Sequence, residues 1–250
     1  MRDLSRRSLE FELMDGEGLG DPALQARVLH DLAQVNRLTR THAPVLQFVQ
    51  HCLARRPATA PPLVVLDVGC GQGDLLRAIH RRAQDQGHAV RLIGLDLHPD
   101  SIAAARAATP PGLPIDYVCA DVLDYQPTTL DCIVNSQLAH HLDDESLQSL
   151  LRWMQQHAAV GWCVADLRRH WLPYLGFRWL ARAARWHRVV RLDGTLSIAR
   201  SRTATEWQLL LQRAGVQAGI AHRWPYRLTV QALRVADGPA DAQTSGSADD

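Results

Sequence analysis

The chain has 250 residues, 46% of them hydrophobic and 21% charged, which suits one large α/β domain or a core domain with a small helical cap. A net charge of +1 excludes the basic excess of a typical nucleic-acid binder, and no run approaches the roughly 20 apolar residues that span a bilayer. Five scattered cysteines without a C-x-x-C pair, and a charged, mixed stretch over residues 1–13, point to a reduced cytoplasmic protein with no disulfide framework, zinc site or secretory signal.

Residues 1–20 read as a flexible lead-in, with Gly16, Gly18 and Gly20 closely spaced. Asp21 and Pro22 form a helix start, Asp as the N-cap and Pro at the first helical position. Leu24, Val28, Leu32, Val35 and Leu38 then recur at helical spacing. A second helix is expected over 44–55, so that residues 21–56 make an N-terminal helical cap closed by the Pro-rich linker 57–62. From residue 63 the pattern becomes strand and helix in alternation. Strands are expected at 63–68, 90–95, 115–119, 130–135 and 160–165, and helices at 73–86, 99–108, 143–157 and 205–214. Asp143 caps the third of these helices and Gly215 ends the fourth, while 216–221 and 227–233 are expected to close the sheet as a hairpin. Such alternation predicts an α/β domain over 63–236, a mainly parallel sheet with helices on both faces. Within it, residues 170–191 carry several Trp and Arg and read as a lid insertion. Asp193, Gly194, Ser197 and Arg200 follow in what reads as a turn and strand-like piece, and residues 237–250, almost without apolar side chains, as a disordered tail.

The sharpest feature is the run Asp67-Val68-Gly69-Cys70-Gly71-Gln72-Gly73-Asp74 between the first strand of the sheet and a helix. Glycines there allow a tight turn and the close approach of a nucleotide-like ligand. A P-loop would need Gly-Lys-Ser/Thr, which is absent, and a nicotinamide site prefers G-x-G-x-x-G where this loop has G-x-G-x-G. Asp67 lies directly before the loop, where a carboxylate repels a pyrophosphate and suits an ammonium group.

The run 64–73 resembles the first motif of class I S-adenosylmethionine-dependent methyltransferases, acidic-x-G-x-G-x-G. Ile93-Gly94-Leu95-Asp96 resembles the second motif of that family, and the resemblance continues in order over roughly residues 63–233. It implies a Rossmann-like seven-stranded sheet with the last strand antiparallel, and S-adenosyl-L-methionine as cofactor. By the same resemblance Asp67, Gly69, Cys70, Gly71 and Gly73 form the cradle, and Asp96 with Leu97 takes the ribose. Ala120, Asp121 and Val122 face the adenine, and Asn135 begins the segment to His141 that lines the methionine and its transferable methyl.

Methyl transfer from a sulfonium is an in-line displacement, for which a protein aligns the nucleophile and excludes water. An oxygen nucleophile often also needs a base, and His140 and His141, just past the fourth strand, are the candidates. They cluster with Asp143, Asp144 and Glu145, but consecutive histidines point different ways and acids suit a helix start, so no metal is assigned. Asp166, Arg168, Trp171, Ser197 and Arg200 are candidate substrate-binding residues. Glu12-Leu13-Met14-Asp15, Asn36-Arg37 and Asp193-Gly194 with Ser197 resemble features of bacterial methyltransferases of aromatic or polyketide-type pathways. The expected activity is methylation of a small-molecule acceptor at a phenolic or other hydroxyl, by a monomer or homodimer without a nucleic-acid partner. Carbon methylation of a quinone-like or polyketide ring, and a non-catalytic S-adenosylmethionine-binding module, are the alternatives.

Overall fold

A computed structural model describes residues 2–15, 22–57 and 59–234; the expected Asp21 cap, the glycines at 16, 18 and 20 and the tail 237–250 lie outside them. Seven strands, β1 (Leu63–Val68), β2 (Val90–Asp96), β3 (Ile115–Cys119), β4 (Leu130–Ser136), β5 (Ala158–Leu167), β6 (Gly219–Arg223) and β7 (Arg227–Leu233), form one sheet in the order β3-β2-β1-β4-β5-β7-β6. The pairs from β3 to β5 are parallel, while β7 runs antiparallel to both β5 and β6. The central strands are apolar on both faces because helices cover both. On one face α5 (Asp144–His157) and α8 (Ala204–Ala214) bury Leu66, Ile133, Val164 and Trp207. On the other, α2 (Ala43–Ala54), α3 (Asp74–Asp85) and α4 (Pro99–Ala108) bury Val65, Leu92, Val134 and Cys163. Each such side chain taken fully from water contributes about 1.5–3 kcal/mol.

Local chemistry sets the helix ends. Asp143 accepts the Ser146 N–H and caps α5, and Thr203 with Glu206 forms a capping box on α8, which stops at Gly215 with φ 67°. The sheet therefore delivers the carboxyl ends of β1, β2, β4 and β5 to one edge, where ligands bind in open α/β sheets.

Two segments differ from their sequence reading. Residues 193–200, expected as a turn and strand-like piece, belong to the helix α7 (Arg188–Arg200), which lies against α6 (Trp171–Ala183). Its Val, Ile and Gly residues are poor helix formers, but Val189, Val190, Leu196, Ile198 and Ala199 are all buried, and burial outweighs propensity. Gly194 serves this packing, since a Cβ there would run into the Phe177 ring of α6. The second difference is the lead-in. Over residues 2–15 it is tied down: Ser8 N–H donates to Ala199 O at 3.0 Å, and the N–H groups of Leu13 and Met14 donate to Asp193 Oδ1 and Oδ2, each at 3.0 Å. α1 (Pro22–Leu38) joins α6 and α7 in a third apolar cluster around Val28, Ala181, Trp186 and Val190. α1 and the lid thus share one core, while α2 belongs to the core of the sheet.

Candidate active site

At the end of β1 the chain turns through Gly69, Gly71 and Gly73, with φ of 70°, 52° and 71°. The N–H groups of Gly69 and Cys70 both donate to Leu95 O of β2, at 2.8 and 3.0 Å, and Gly71 N–H donates to Asp96 Oδ2 at 2.9 Å. Asp96 Oδ1 accepts the His98 N–H at 3.0 Å, so this carboxylate braces the loop and keeps lone pairs for further donors such as ribose hydroxyls. A Cβ placed on Gly71 would meet nothing within 4 Å, so open space lies above this position. Asp67 is buried with no partner for Oδ1, and burial, with Asp74 and Asp96 nearby, pushes its carboxyl well above the ordinary carboxylate range. An orphaned carboxyl oxygen beside an open glycine cradle fits the ammonium group of an aminoacyl nucleoside. Asp74 behaves oppositely. Burial works against its charge, but the His42 ring nitrogen at 2.8 Å and the Asn36 amide at 3.3 Å hold its carboxyl below the ordinary value.

A cavity of about 410 Å³ runs from this loop to His140 and His141, a volume typical of small-ligand sites. Past β4, Gln137 adopts φ 65°, unusual for a residue with a side chain. The next residues use neither helix nor strand to satisfy their backbone; arginines do so. Ala139 O accepts from Arg202 Nη1 at 2.7 Å, and His140 O from Arg7 Nη2 at 2.8 Å and Arg200 Nε at 3.3 Å. His141 O accepts from Arg200 Nη2 at 3.3 Å, and Leu142 O from Arg7 Nη2 at 2.7 Å and Arg202 Nη2 at 3.0 Å. Burial, and then the charge of Arg202, brings Arg7 down to about 10, so it stays a cation at neutral pH.

This clamp fixes a buried polar cluster. His140 Nδ1 lies 2.7 Å from Asp166 Oδ1, which also accepts the Leu167 N–H at 2.7 Å. Burial disfavours the Asp166 charge, but the charge and hydrogen bond of His140 outweigh it and the carboxyl sits below its ordinary value. An ionised carboxylate can only accept, so Nδ1 carries the hydrogen of this bond and Nε2 faces the other way. On that side lies Glu12 Oε1, 3.7 Å away, which accepts from Ser197 Oγ at 2.9 Å and has Arg200 Nη1 at 3.7 Å. The His141 ring tilts against His140 with centroids 4.2 Å apart. Glu12, His140 and His141 offer ligand atoms within 4.8 Å of one another, a set able to hold a divalent ion, although the Arg200 guanidinium opposes a second cation. Two of the three acids considered from the sequence are engaged elsewhere: Asp143 caps α5 and Asp144 pairs with Arg202 at 2.7 Å.

The family model described as a methyltransferase domain matches residues 65–161, from within β1 to within β5. The chain is similar to a pre-miRNA 5'-monophosphate methyltransferase of Xenopus laevis, 34% identical over 98 residues, which are 36% of this chain and 37% of that protein. It is also similar to a trans-aconitate 2-methyltransferase of Mycobacterium tuberculosis, 31% identical over 103 residues, 41% of this chain and 36% of the relative. The matched chain thus spans little more than a third of these curated relatives. Among solved structures, a plantazolicin methyltransferase in complex with a triazolic desmethylPZN analog and SAH shares the fold at a TM-score of 0.60 and 17% identity, covering 80% of this chain and 73% of that one. A magnesium protoporphyrin IX methyltransferase from Synechocystis with bound SAH does so at 0.53 and 16%, covering 89% and 91%. The fold is the Rossmann-like one of class I S-adenosylmethionine-dependent methyltransferases.

Around the glycine loop and the cavity the predicted site residues separate into groups. Asp67, Gly69, Cys70, Gly71, His140, His141 and Ser197 line the cavity together. Gly73 faces Tyr117 of β3, and Asp96 acts from beneath the loop. Asn135 is fully buried, with Nδ2 donating to Val68 O at 2.9 Å. Leu97, Ala120, Asp121 and Val122 lie outside this cavity at the ends of β2 and β3, where Leu97 is exposed and Asp121 accepts the Leu123 N–H at 2.9 Å. Of the substrate candidates, Asp166 stands behind His140 and Arg200 is turned onto the His140 and His141 carbonyls. Arg168 and the exposed Trp171 lie outside the lining. Sequence reasoning gave no site role to Arg7, Glu12, Arg202 or Arg227. Glu12 alone carried a signal, the short motif it shares with Asp193 and Ser197, and those three residues meet in the fold. No helix among the described residues is long and apolar enough to cross a membrane.

Proposed function

We propose that the chain transfers a methyl group from S-adenosyl-L-methionine to a hydroxyl oxygen of a small-molecule acceptor. The observation that supports this most is the single cavity joining the glycine loop to the Asp166–His140 pair. The cofactor, when bound, supplies an activated methyl on a sulfonium centre. Asp67 would hold its ammonium group, and Asp96 would accept from its ribose hydroxyls. His140 Nε2 takes the hydroxyl proton as the oxygen attacks. The imidazolium so formed lies between Asp166 at 2.7 Å and Glu12 at 3.7 Å, two carboxylates that stabilise its charge. The orienting role of Asp166 follows the logic of other base–carboxylate pairs. Phe177 of α6, several residues of α7, and Glu12 and Met14 form one wall of the cavity.

Isothermal titration with S-adenosylmethionine, S-adenosylhomocysteine and NADH, beside Asp96→Ala, tests the cofactor. The expected result is binding of both sulfur nucleosides, lost in the variant. NADH binding with no response to either nucleoside would remove the reading. Product analysis from a panel of phenols and ring-activated carbon acceptors then separates oxygen from carbon methylation.

A further inference from the structure

We infer that Arg227 is an anion receptor in the acceptor half of the cavity, and that the acceptor carries a carboxylate. The inference deepens the methyltransferase reading and rests on it. Arg227 opens β7 at the edge of the sheet where the site lies, paired with Leu167 of β5, and its side chain lines the cavity. It is 3% exposed. Nη2 donates to Thr39 Oγ1 at 2.9 Å and Thr41 Oγ1 at 2.8 Å, while Nε and Nη1 are buried and have no partner. Burial brings the guanidinium down to about 10, which leaves it charged at neutral pH. A buried cation with unmet donors in a cavity wall is costly unless a ligand completes it, and an anionic oxygen does so more strongly than a neutral one.

The position assigns the anion to the acceptor. β4 and β5 separate β7 from β1, and at about 4.8 Å per strand the start of β7 lies roughly 14 Å across the sheet from the glycine loop. The charge that Arg227 feels is that of Asp166, the partner of His140. Asp67, at the cofactor cradle, has instead Asp74 and Asp96 as its charged neighbours. Arg227 therefore belongs with the proton-accepting pair rather than with the cofactor loop.

The test is calorimetric binding of hydroxybenzoate isomers and the matching hydroxybenzamides to protein saturated with S-adenosylhomocysteine, for wild type, Arg227→Lys and Arg227→Met. Wild type is expected to prefer the carboxylates about tenfold to a hundredfold, as a charge-assisted hydrogen bond gives. The preference should vanish in Arg227→Met and partly return in Arg227→Lys, with S-adenosylhomocysteine affinity unchanged. The inference fails if wild type shows no preference, a result that needs no folded variant, or if Arg227→Met keeps it. It also fails if Arg227→Met weakens S-adenosylhomocysteine but not methylthioadenosine, which lacks the carboxylate, because Arg227 then serves the cofactor. Absence of S-adenosylhomocysteine binding to wild type would instead sink the methyltransferase reading and this inference with it.

Discussion

Gly71 and Gly73, two residues apart in one loop, should fail in different ways when replaced by alanine. Both hold left-handed φ, 52° and 71°, so each substitution carries about 1–2 kcal/mol of backbone strain. At Gly73 the new Cβ also meets the Tyr117 ring, with Cζ at 2.7 Å and Cε1 at 2.8 Å and the hydroxyl closer still. That ring cannot swing away freely: its hydroxyl is 2.9 Å from Thr109 Oγ1, and its Cδ1–Cε1 edge also fills the space beside Gly94. Overpacking of this kind adds about 1–3 kcal/mol, so Gly73→Ala should lose about 2–5 kcal/mol in all. At Gly71 nothing lies within 4 Å, and the loss of stability should stop at the strain. The methyl group there instead fills the cradle, and S-adenosylhomocysteine should bind at least about tenfold more weakly, a cost of about 1.4 kcal/mol. Urea denaturation at constant m-value measures the first quantity and calorimetric titration the second. Equal destabilisation by the two variants, or wild-type nucleoside affinity in Gly71→Ala, would refute the placement of the cofactor over Gly71.

Other outcomes follow from the charges. Asp67 holds its proton more tightly in the fold than the ordinary 3.8, so its contribution to stability is complete below that value and is lost as pH rises through the raised one. Unliganded Asp67→Asn should therefore melt higher than wild type at neutral pH. Cofactor affinity should rise with pH in the wild type as Asp67 ionises, and that dependence should flatten in the variant; a parallel pH profile would contradict this role. Asp166→Asn and His140→Gln should each lower kcat by about a hundredfold or more while S-adenosylhomocysteine binding stays near wild type, and a change confined to KM would place them outside proton transfer. Dialysis against EDTA should leave turnover intact because Arg200 opposes a cation at Glu12, and recovery driven by added Mg²⁺ would show that the Glu12–His140–His141 cluster holds one.

The sheet was legible because its strands announce themselves locally. Leu63–Val68 is apolar but for Asp67, the glycine loop follows at once, and Asp143 and Gly215 mark helix ends by their own side-chain or backbone chemistry. The cofactor cradle was legible for the same reason, since its residues are contiguous. α7 was not, because a run with Gly194 and several β-branched residues is helical only through its burial against α6 and α1. The pairing of His140 with Asp166 spans 26 residues, that of Ser197 with Glu12 185, and that of Arg227 with Thr41 186. No periodicity encodes such meetings. The order of the lead-in was not legible because it comes from backbone groups and from polar side chains, Arg7 and Glu12 among them, which leave no apolar pattern.

The arginine grip on residues 139–142 bears on how this site can be transplanted or redesigned. Its guanidinium groups come from three places: Arg7 on the N-terminal strap, Arg200 at the end of α7 and Arg202 before α8. A histidine loop grafted alone onto a related scaffold would arrive with four carbonyls unmet and would relax into another shape. Lysine is no substitute at Arg202, whose planar head serves two carbonyls and the Asp144 carboxylate at once. A chimera that exchanges the loop must carry all three segments with it, so the smallest portable unit is discontinuous and includes the first dozen residues of the chain.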